Sequence, residues 1–138
     1  MKNTFILPII FIIIASSSVL AQNTNKMIIH DIKTTEIKET PHKVDVRILY
    51  DANTAQAVHI ELKPGESLKP HITPVDVFFY ILEGEPTIMV GDELKLVKKD
   101  QLIESPKNIK HSIYNKSDKK VRVLVVKAPK PTTSTRIL

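Results

Sequence analysis

Two histidines, His71 and His111, carry the side chains of this chain that are best suited to chemistry, and each has a polar neighbour. Thr73 follows the first histidine and Asn115 the second at even spacings, so each pair would share one face of a strand. Imidazoles bind transition metals, and with an ordinary pKa of about 6.5 they also exchange protons or hydrogen-bond polar ligands. We expect these four side chains to contact a small polar ligand, sugar-like or carboxylate-like.

The stretch from Pro64 to Gly84 positions the first pair. It begins with a Pro-Gly turn, continues through a β-branched and aromatic run and ends on a glycine. Because side chains alternate along a strand, each face would carry every second residue: His71, Thr73, Val75, Val77, Phe79 and Ile81 on one side, and Ile72, Asp76, Phe78, Tyr80 and Leu82 on the other. Both faces are largely apolar, which predicts that both are covered, as in a barrel or sandwich.

The other segments of the mature chain also have the pattern of strands. They alternate apolar and polar residues or consist of β-branched runs, and none carries a convincing helical stripe: Val44 to Tyr50, Ala55 to Leu62, Thr87 to Leu96, Gln101 to Glu104, Ile109 to Asn115 and Val121 to Val126. Gly91-Asp92 suits a tight hairpin turn. The chain is therefore predicted to be all-β, an antiparallel β-barrel.

The domain boundaries follow from composition. Residues 1–21 have the layout of a secretory signal peptide, with a positive start, an apolar core and a small-residue end, so we predict cleavage after Ala21. The mature protein would be secreted or periplasmic, without stable membrane insertion. Residues 22–43 would form a linker with an edge strand at Met27 to Ile32 across a pair of copies, residues 44–128 the barrel, and residues 129–138 a tail that is an arm or a disordered end.

Charge and cysteine content exclude several classes of protein. The formal net charge is +5, and the lysine pairs at 98–99 and 119–120 fall at predicted turns without an aromatic stacking platform, which argues against a nucleic-acid partner. The chain contains no cysteine. Disulfides, thiolate metal ligands, a cysteine nucleophile and a lipid-anchored cysteine are therefore all excluded, and stability must come from the packed core.

The spacing around the central stretch resembles the first motif of the cupin superfamily, in its small single-domain, type-2 form. That motif places glycine, two histidines, glutamate and glycine at positions held here by Gly65, His71, Thr73, Val77 and Gly84. The first histidine and both glycines match, whereas threonine and valine replace the second histidine and the glutamate. The three glycines of the chain all lie at predicted sharp reversals, which supports the resemblance independently.

The second cupin motif is met in part. Its positions are held by Asp100, Pro106, Asn108, His111 and Asn115, with Asp and Asn in place of the two glycines. Asp and Asn are the non-glycine residues that best tolerate positive φ. The resemblance implies a double-stranded β-helix of the jelly-roll type and a homodimer, for which the apolar outer face formed by Phe78, Tyr80 and Leu82 gives a physical motive.

Three histidines and a glutamate hold a divalent transition metal in metal-binding cupins. In this chain only two of these four ligand positions, His71 and His111, keep the family's residue. Two neutral ligands without a carboxylate usually make a weak site. A further ligand could come from His59, Asp76 or Glu104, whose directions the sequence leaves open. No cofactor is certain, and a divalent transition metal is the candidate. His30 and His42 lie in the N-terminal segment and are assigned no role.

Three functions stay open at this point. The first is an exported cupin that binds a small polar ligand in the barrel lumen and depends at most weakly on a metal. The second, implied by the resemblance, is a metal-dependent sugar isomerase-like or dioxygenase-like enzyme that uses His71 and His111. The third is a structural dimer whose lumen is filled by Phe79, Ile81 and Ile113.

Overall fold

The computed structural model describes residues 25–138, so the predicted signal peptide lies outside the described residues. The described part contains ten strands and no helix: β1 Asp45–Ala52, β2 Ala55–Leu62, β3 His71–Ile72, β4 Asp76–Glu83, β5 Thr87–Val90, β6 Glu93–Leu96, β7 Leu102–Ser105, β8 Lys110–Tyr114, β9 Val121–Ala128 and β10 Arg136–Ile137. Over this range no helix has the length and apolar character needed to cross a membrane. The predicted all-β class is confirmed.

The strands form two five-stranded antiparallel sheets. Their orders are β1-β2-β9-β4-β7 and β10-β3-β8-β5-β6. One core joins them, because buried residues of the first sheet, such as Phe79, cluster with Ile88 and Ile113 of the second. The crossing of the chain between two facing sheets is the expected double-stranded β-helix architecture.

Strand β4 lies between β9 and β7 and shows the predicted alternation. Val77, Phe79 and Ile81 are buried in the core, whereas Phe78 and Tyr80 are half-buried on the outer side. The prediction that both faces are covered therefore holds only for the inner face of the described chain. The outer-face side chains Phe78, Tyr80 and Leu82 are only partly buried.

Residues with positive φ lie in the turns that connect the strands. Asp100 and Asn108 have φ values of 67° and 63°, so the two residues that replace motif glycines adopt the predicted conformation. Gly84 has φ +81°, and a Cβ there would lie 2.8 Å from the Lys120 carbonyl oxygen. Glycine is required at this reversal both by conformation and by space.

Two terminal segments pack against the sheets. Residues 25–44 contain no strand within the chain, and the edge strand expected at Met27 to Ile32 across a pair of copies stays a prediction. Arg47 holds this segment, because its Nη1 donates to the carbonyls of Ile32 and Thr35. Of the two alternatives for the tail, an arm or a disordered end, the structure favours the arm, because β10 pairs with β3. Aperiodic sequence can still form a short ladder, since pairing uses backbone groups.

Candidate functional site

A cavity of about 260 Å³ lies between the two sheets. Its walls are mostly apolar side chains from β1, β2, β4 and β9, and its polar groups come from β3 and the residue after it, β8, the end of β9 and the two terminal segments. The polar lining consists of Lys38, Thr40, His42, His71, Thr73, His111, Lys127 and Thr135. The lumen is thus an open pocket that reaches both predicted histidines, and Phe79, Ile81 and Ile113 do not fill it.

His71 and His111 meet directly in this cavity. They are opposite each other in the antiparallel pairing of β3 with β8, and their Nε2 atoms are 3.0 Å apart. The rings stand edge to face, with centroids 4.4 Å apart, and the Phe79 ring stands edge to face against His111. The predicted convergence of the two histidines is therefore a result of strand register.

The partners of the two rings define one direction of hydrogen bonding for the neutral pair. His71 Nδ1 is 2.8 Å from the Lys69 carbonyl oxygen, which only accepts, so this nitrogen carries the proton. His71 Nε2 then accepts from His111 Nε2–H, and His111 Nδ1 accepts the hydroxyl proton of Ser105 at 2.7 Å. The result is a directed chain from Ser105 through both imidazoles to a backbone carbonyl.

His42 is the third imidazole of the site, and the sequence analysis missed it. Its ring lies 4.8 Å from the His71 ring, and its Nδ1 accepts the Lys69 backbone N–H at 3.0 Å. A neutral ring with an accepting Nδ1 carries its proton on Nε2, which makes His42 a hydrogen-bond donor. A histidine in an aperiodic segment gives no signal in the sequence. His30, assigned no role, is exposed.

Burial keeps the imidazoles neutral. It lowers the pKa of His111 to about 3 and that of His42 to about 4, with the neighbouring His71 adding to both shifts. Burial also lowers the pKa of His71. Three uncharged rings at neutral pH therefore act as hydrogen-bond donors and acceptors and contribute no fixed positive charge.

Lys127 supplies a positive charge to the cavity. The alternation of β9 that turns Val123 and Val125 into the core also directs Lys127 inward, and burial lowers the pKa of its ammonium group. Its charge lowers the pKa values of all three imidazoles, so it lies within electrostatic range of each. Lys127 pairs across the sheet with Val77, the residue at the motif's glutamate position.

Thr73 belongs to the cluster, and Asn115 does not. Thr73 is buried, with its hydroxyl 3.3 Å from His111 Nε2. Asn115 is buried elsewhere: its Nδ2 donates to the carbonyls of Leu62 and Lys119, and its Oδ1 accepts from Ser117. It does not line the cavity. Its position on the inner face was predicted correctly, but it lies toward the turn that joins β8 to β9, whose backbone uses its amide.

The three undecided side chains all point away from the cavity. His59 is buried on the opposite side of β2, where its Nε2 accepts from Arg122 Nε at 3.1 Å. Asp76 is exposed and accepts the Lys107 backbone N–H, as its strand parity predicts. Glu104 is exposed on β7. No carboxylate therefore reaches the imidazole pair from these positions.

The residues present do not fit a tightly held metal. An Nε2 separation of 3.0 Å suits two adjacent ligands of one ion, each about 2.1 Å away. However, the positions of the second histidine and the glutamate of the first motif hold Thr73 and Val77, and His42 carries its proton on the nitrogen that a metal would need. Within residues 25–138 no group of three His, Cys, Asp or Glu side chains has metal-binding geometry.

Proteins of known structure share this architecture. A protein described only as uncharacterized, MJ0764 from Methanocaldococcus jannaschii, is 31% identical over 100 residues, which cover 72% of this chain and 86% of its own. Its crystal structure, described as a cupin with a double-stranded β-helix fold, matches with a TM-score of 0.61. The protein TT1209 from Thermus thermophilus matches with a TM-score of 0.66 at 29% identity, covering 76% of this chain and 100% of that chain.

A further relative has a named role. Tetracenomycin polyketide synthase protein TcmJ from Streptomyces glaucescens is 32% identical over 72 residues, 51% of this chain. This chain spans about half of TcmJ, since the matched residues are 48% of that protein's length. The family model for the cupin domain matches residues 58–127, from β2 to β9. The chain therefore belongs to the cupin family.

Proposed function

We propose that this cupin binds a small organic carboxylate with an apolar body in its lumen. The observation that carries the proposal is the charge of the cavity. Lys127 lies opposite the position of the motif's glutamate, and no Asp or Glu is among the described residues that line the pocket. A site that holds a cation in metal-binding relatives has here lost its anionic ligand and gained an ammonium group, which favours an anion.

Hydrogen-bond donors near the ammonium group suit a carboxylate. His42 offers Nε2–H, and the Thr40 hydroxyl is buried without a hydrogen-bond partner in the described part of the chain. A buried hydroxyl without a partner costs about 1–3 kcal/mol, so a ligand oxygen that accepts from it gains that amount. His71 and His111 satisfy each other and are less available.

The size and walls of the cavity restrict the rest of the ligand. Its volume of about 260 Å³ is just below the range of about 300–1,000 Å³ of pockets for drug-sized ligands. The aliphatic walls formed by Val46, Ile60 and Val125 leave a sugar's hydroxyl groups without partners. Of the two ligand types predicted from the sequence, a carboxylate with an aromatic or aliphatic body therefore fits better.

Calorimetric titration with benzoate tests this function. The parent protein should bind benzoate, and Lys127→Met should weaken binding about 10–100-fold, as expected for a charge-assisted hydrogen bond of about 1.5–3 kcal/mol. Lys130→Met is the matched control, because Lys130 pairs with Asp51 outside the cavity and its loss should leave affinity unchanged. Absence of benzoate binding, or equal binding by Lys127→Met, would refute the proposal.

A second function, metal-free acid–base catalysis, is favoured by the directed hydrogen-bond chain. When a ligand oxygen accepts the His111 Nε2–H, the His71 Nε2 lone pair is free to take a proton from the ligand, and the Lys69 carbonyl, which accepts from His71 Nδ1–H, stabilises the imidazolium that forms. The test is exchange of the methyl protons of acetophenone with deuterated water, followed by NMR. Faster exchange that is lost in His111→Asn supports catalysis, and exchange at the buffer rate removes it.

We also propose that the protein is exported and that two copies form a dimer. A signal peptide of residues 1–21 would give a mature protein that begins at Gln22, and mass spectrometry of the exported protein tests this directly. The outer face carrying Phe78, Tyr80 and Leu82 would pair two copies. Sedimentation velocity should show a dimer at micromolar concentration, and a monomer at high micromolar concentration would defeat that part.

A further inference from the structure

We propose that the Lys127 amine forms a reversible imine with a small aldehyde or ketone that enters the cavity. This activity goes beyond carboxylate binding, because it assigns a covalent step to Lys127 and a carbonyl group to the compound that reacts there. It needs a reachable lysine, an apolar environment and neighbouring groups that transfer protons. The structure supplies each of these.

The position of Lys127 distinguishes it from other lysines. It lines the cavity on the inner face of β9, it forms no ion pair within residues 25–138, and burial lowers the pKa of its ammonium group. The nearby Lys130 instead lies in an ion pair, with its Nζ 2.9 Å from an Asp51 oxygen. An unpaired, partly desolvated amine is the better nucleophile.

No group that lines the cavity with Lys127 holds a negative charge that would favour its ammonium form. Lys38 and the three imidazoles line the same cavity, and none of them carries a negative charge. Asp51 is the one acid that raises the pKa of Lys127, and its carboxylate is already bound to Lys130 and Gln56. The balance of burial over this weak attraction lowers the pKa of Lys127.

The reaction balances without any oxidant or reductant. The free amine attacks the carbonyl carbon, the carbonyl oxygen takes one proton, and the resulting carbinolamine loses this oxygen as water. Nitrogen gives up two hydrogens in all, and oxygen leaves with both. When the carbonyl oxygen accepts the His111 Nε2–H in place of His71, the freed His71 Nε2 lone pair can accept a proton from nitrogen and return it to the departing hydroxyl group.

Reductive trapping tests the inference in the full mature protein. Benzaldehyde and sodium cyanoborohydride are added near neutral pH, and the secondary amine formed by reduction of the imine is mapped by peptide mass spectrometry. Lys127 should be modified several-fold faster than Lys130. Lys127→Arg should lose this fast adduct, and Lys130→Arg, the matched control, should keep it.

The arginine variant separates this inference from the carboxylate proposal. Lys127→Arg keeps the positive charge, so it should still bind benzoate while it forms no adduct in the cavity. Benzoate binding with modification of Lys127 no faster than that of Lys130 overturns the imine alone. Fast modification of Lys127 without benzoate binding overturns the carboxylate proposal alone.

Discussion

Acidification should destabilise this protein well above the pH at which its carboxylates protonate. The His111 imidazole is 2% exposed and its pKa in the fold is lowered from 6.5 to about 3, mainly by burial. The unfolded chain therefore binds a proton at pH values where the folded chain does not. The stability that comes from the neutral buried ring is complete above the unfolded pKa and is lost progressively as pH falls below it.

The magnitude follows from the two pKa values of His111. Each pH unit below about 6.5 removes about 1.4 kcal/mol until the folded pKa is reached. Between about pH 7 and about pH 5 the loss is about 2 kcal/mol from this residue. The lowered pKa of His71 acts in the same direction. Since small domains have about 5–15 kcal/mol of stability in total, the loss is readily measurable.

Urea unfolding at the two pH values measures this loss. His111→Asn removes the titrating ring and should reduce the pH-dependent difference by about 2 kcal/mol, and His30→Asn is the matched control because His30 is exposed outside the cluster. NMR titration of the ring protons in the parent protein gives a second reading that does not depend on a variant. A His111 ring that titrates near its ordinary pKa, or an unchanged difference in His111→Asn, would refute the reasoning.

Three further predictions concern stability. Gly84→Ala should destabilise the fold by about 1–3 kcal/mol more than Gly65→Ala in urea unfolding, since both have φ near +80° but only Gly84 has backbone within 3 Å of the added Cβ; equal losses would contradict this. Phe79→Ala, in the core against His111, should cost about 3–5 kcal/mol in the same assay, and a loss below about 1 kcal/mol would count against it. Asn115→Ala should cost about 1–3 kcal/mol, by leaving buried carbonyls unpaired, while benzoate affinity stays unchanged; weaker binding would return Asn115 to the site.

Much of the fold could be predicted because strand patterns are local. The alternation in Ala55 to Leu62 and around Phe79 determines which side chains turn inward, and the structure has these segments as β2 and β4. Positive φ at Asp100 and Asn108 followed from residue type. The tail could not be predicted in this way, because the pairing of β10 with β3 depends on an edge strand far away in the sequence.

Some residues of the candidate site could also be predicted from local patterns, and others could not. His71 and His111 could be expected to converge, since each has the correct parity and a place in a motif. Lys127 lies at the end of a β-branched run, so parity alone could have predicted that it points inward. That it lies beside the motif's glutamate position depends on the pairing of β9 with β4, which places it opposite Val77. His42 and Thr40 reach the cavity from a segment without periodicity, so no pattern in the sequence could have identified them.

The sequence by itself determined the all-β class, the inner faces of the strands and the loss of two of the family's metal-binding groups, because these depend on residue type and spacing along one strand. Only the tertiary structure decided what replaces those groups. Strand pairing brings an ammonium group, a third imidazole and an unpartnered hydroxyl to one cavity from positions far apart in the chain. Burial, which exists only in the folded state, then sets the charges of these groups and so the chemistry that the site favours.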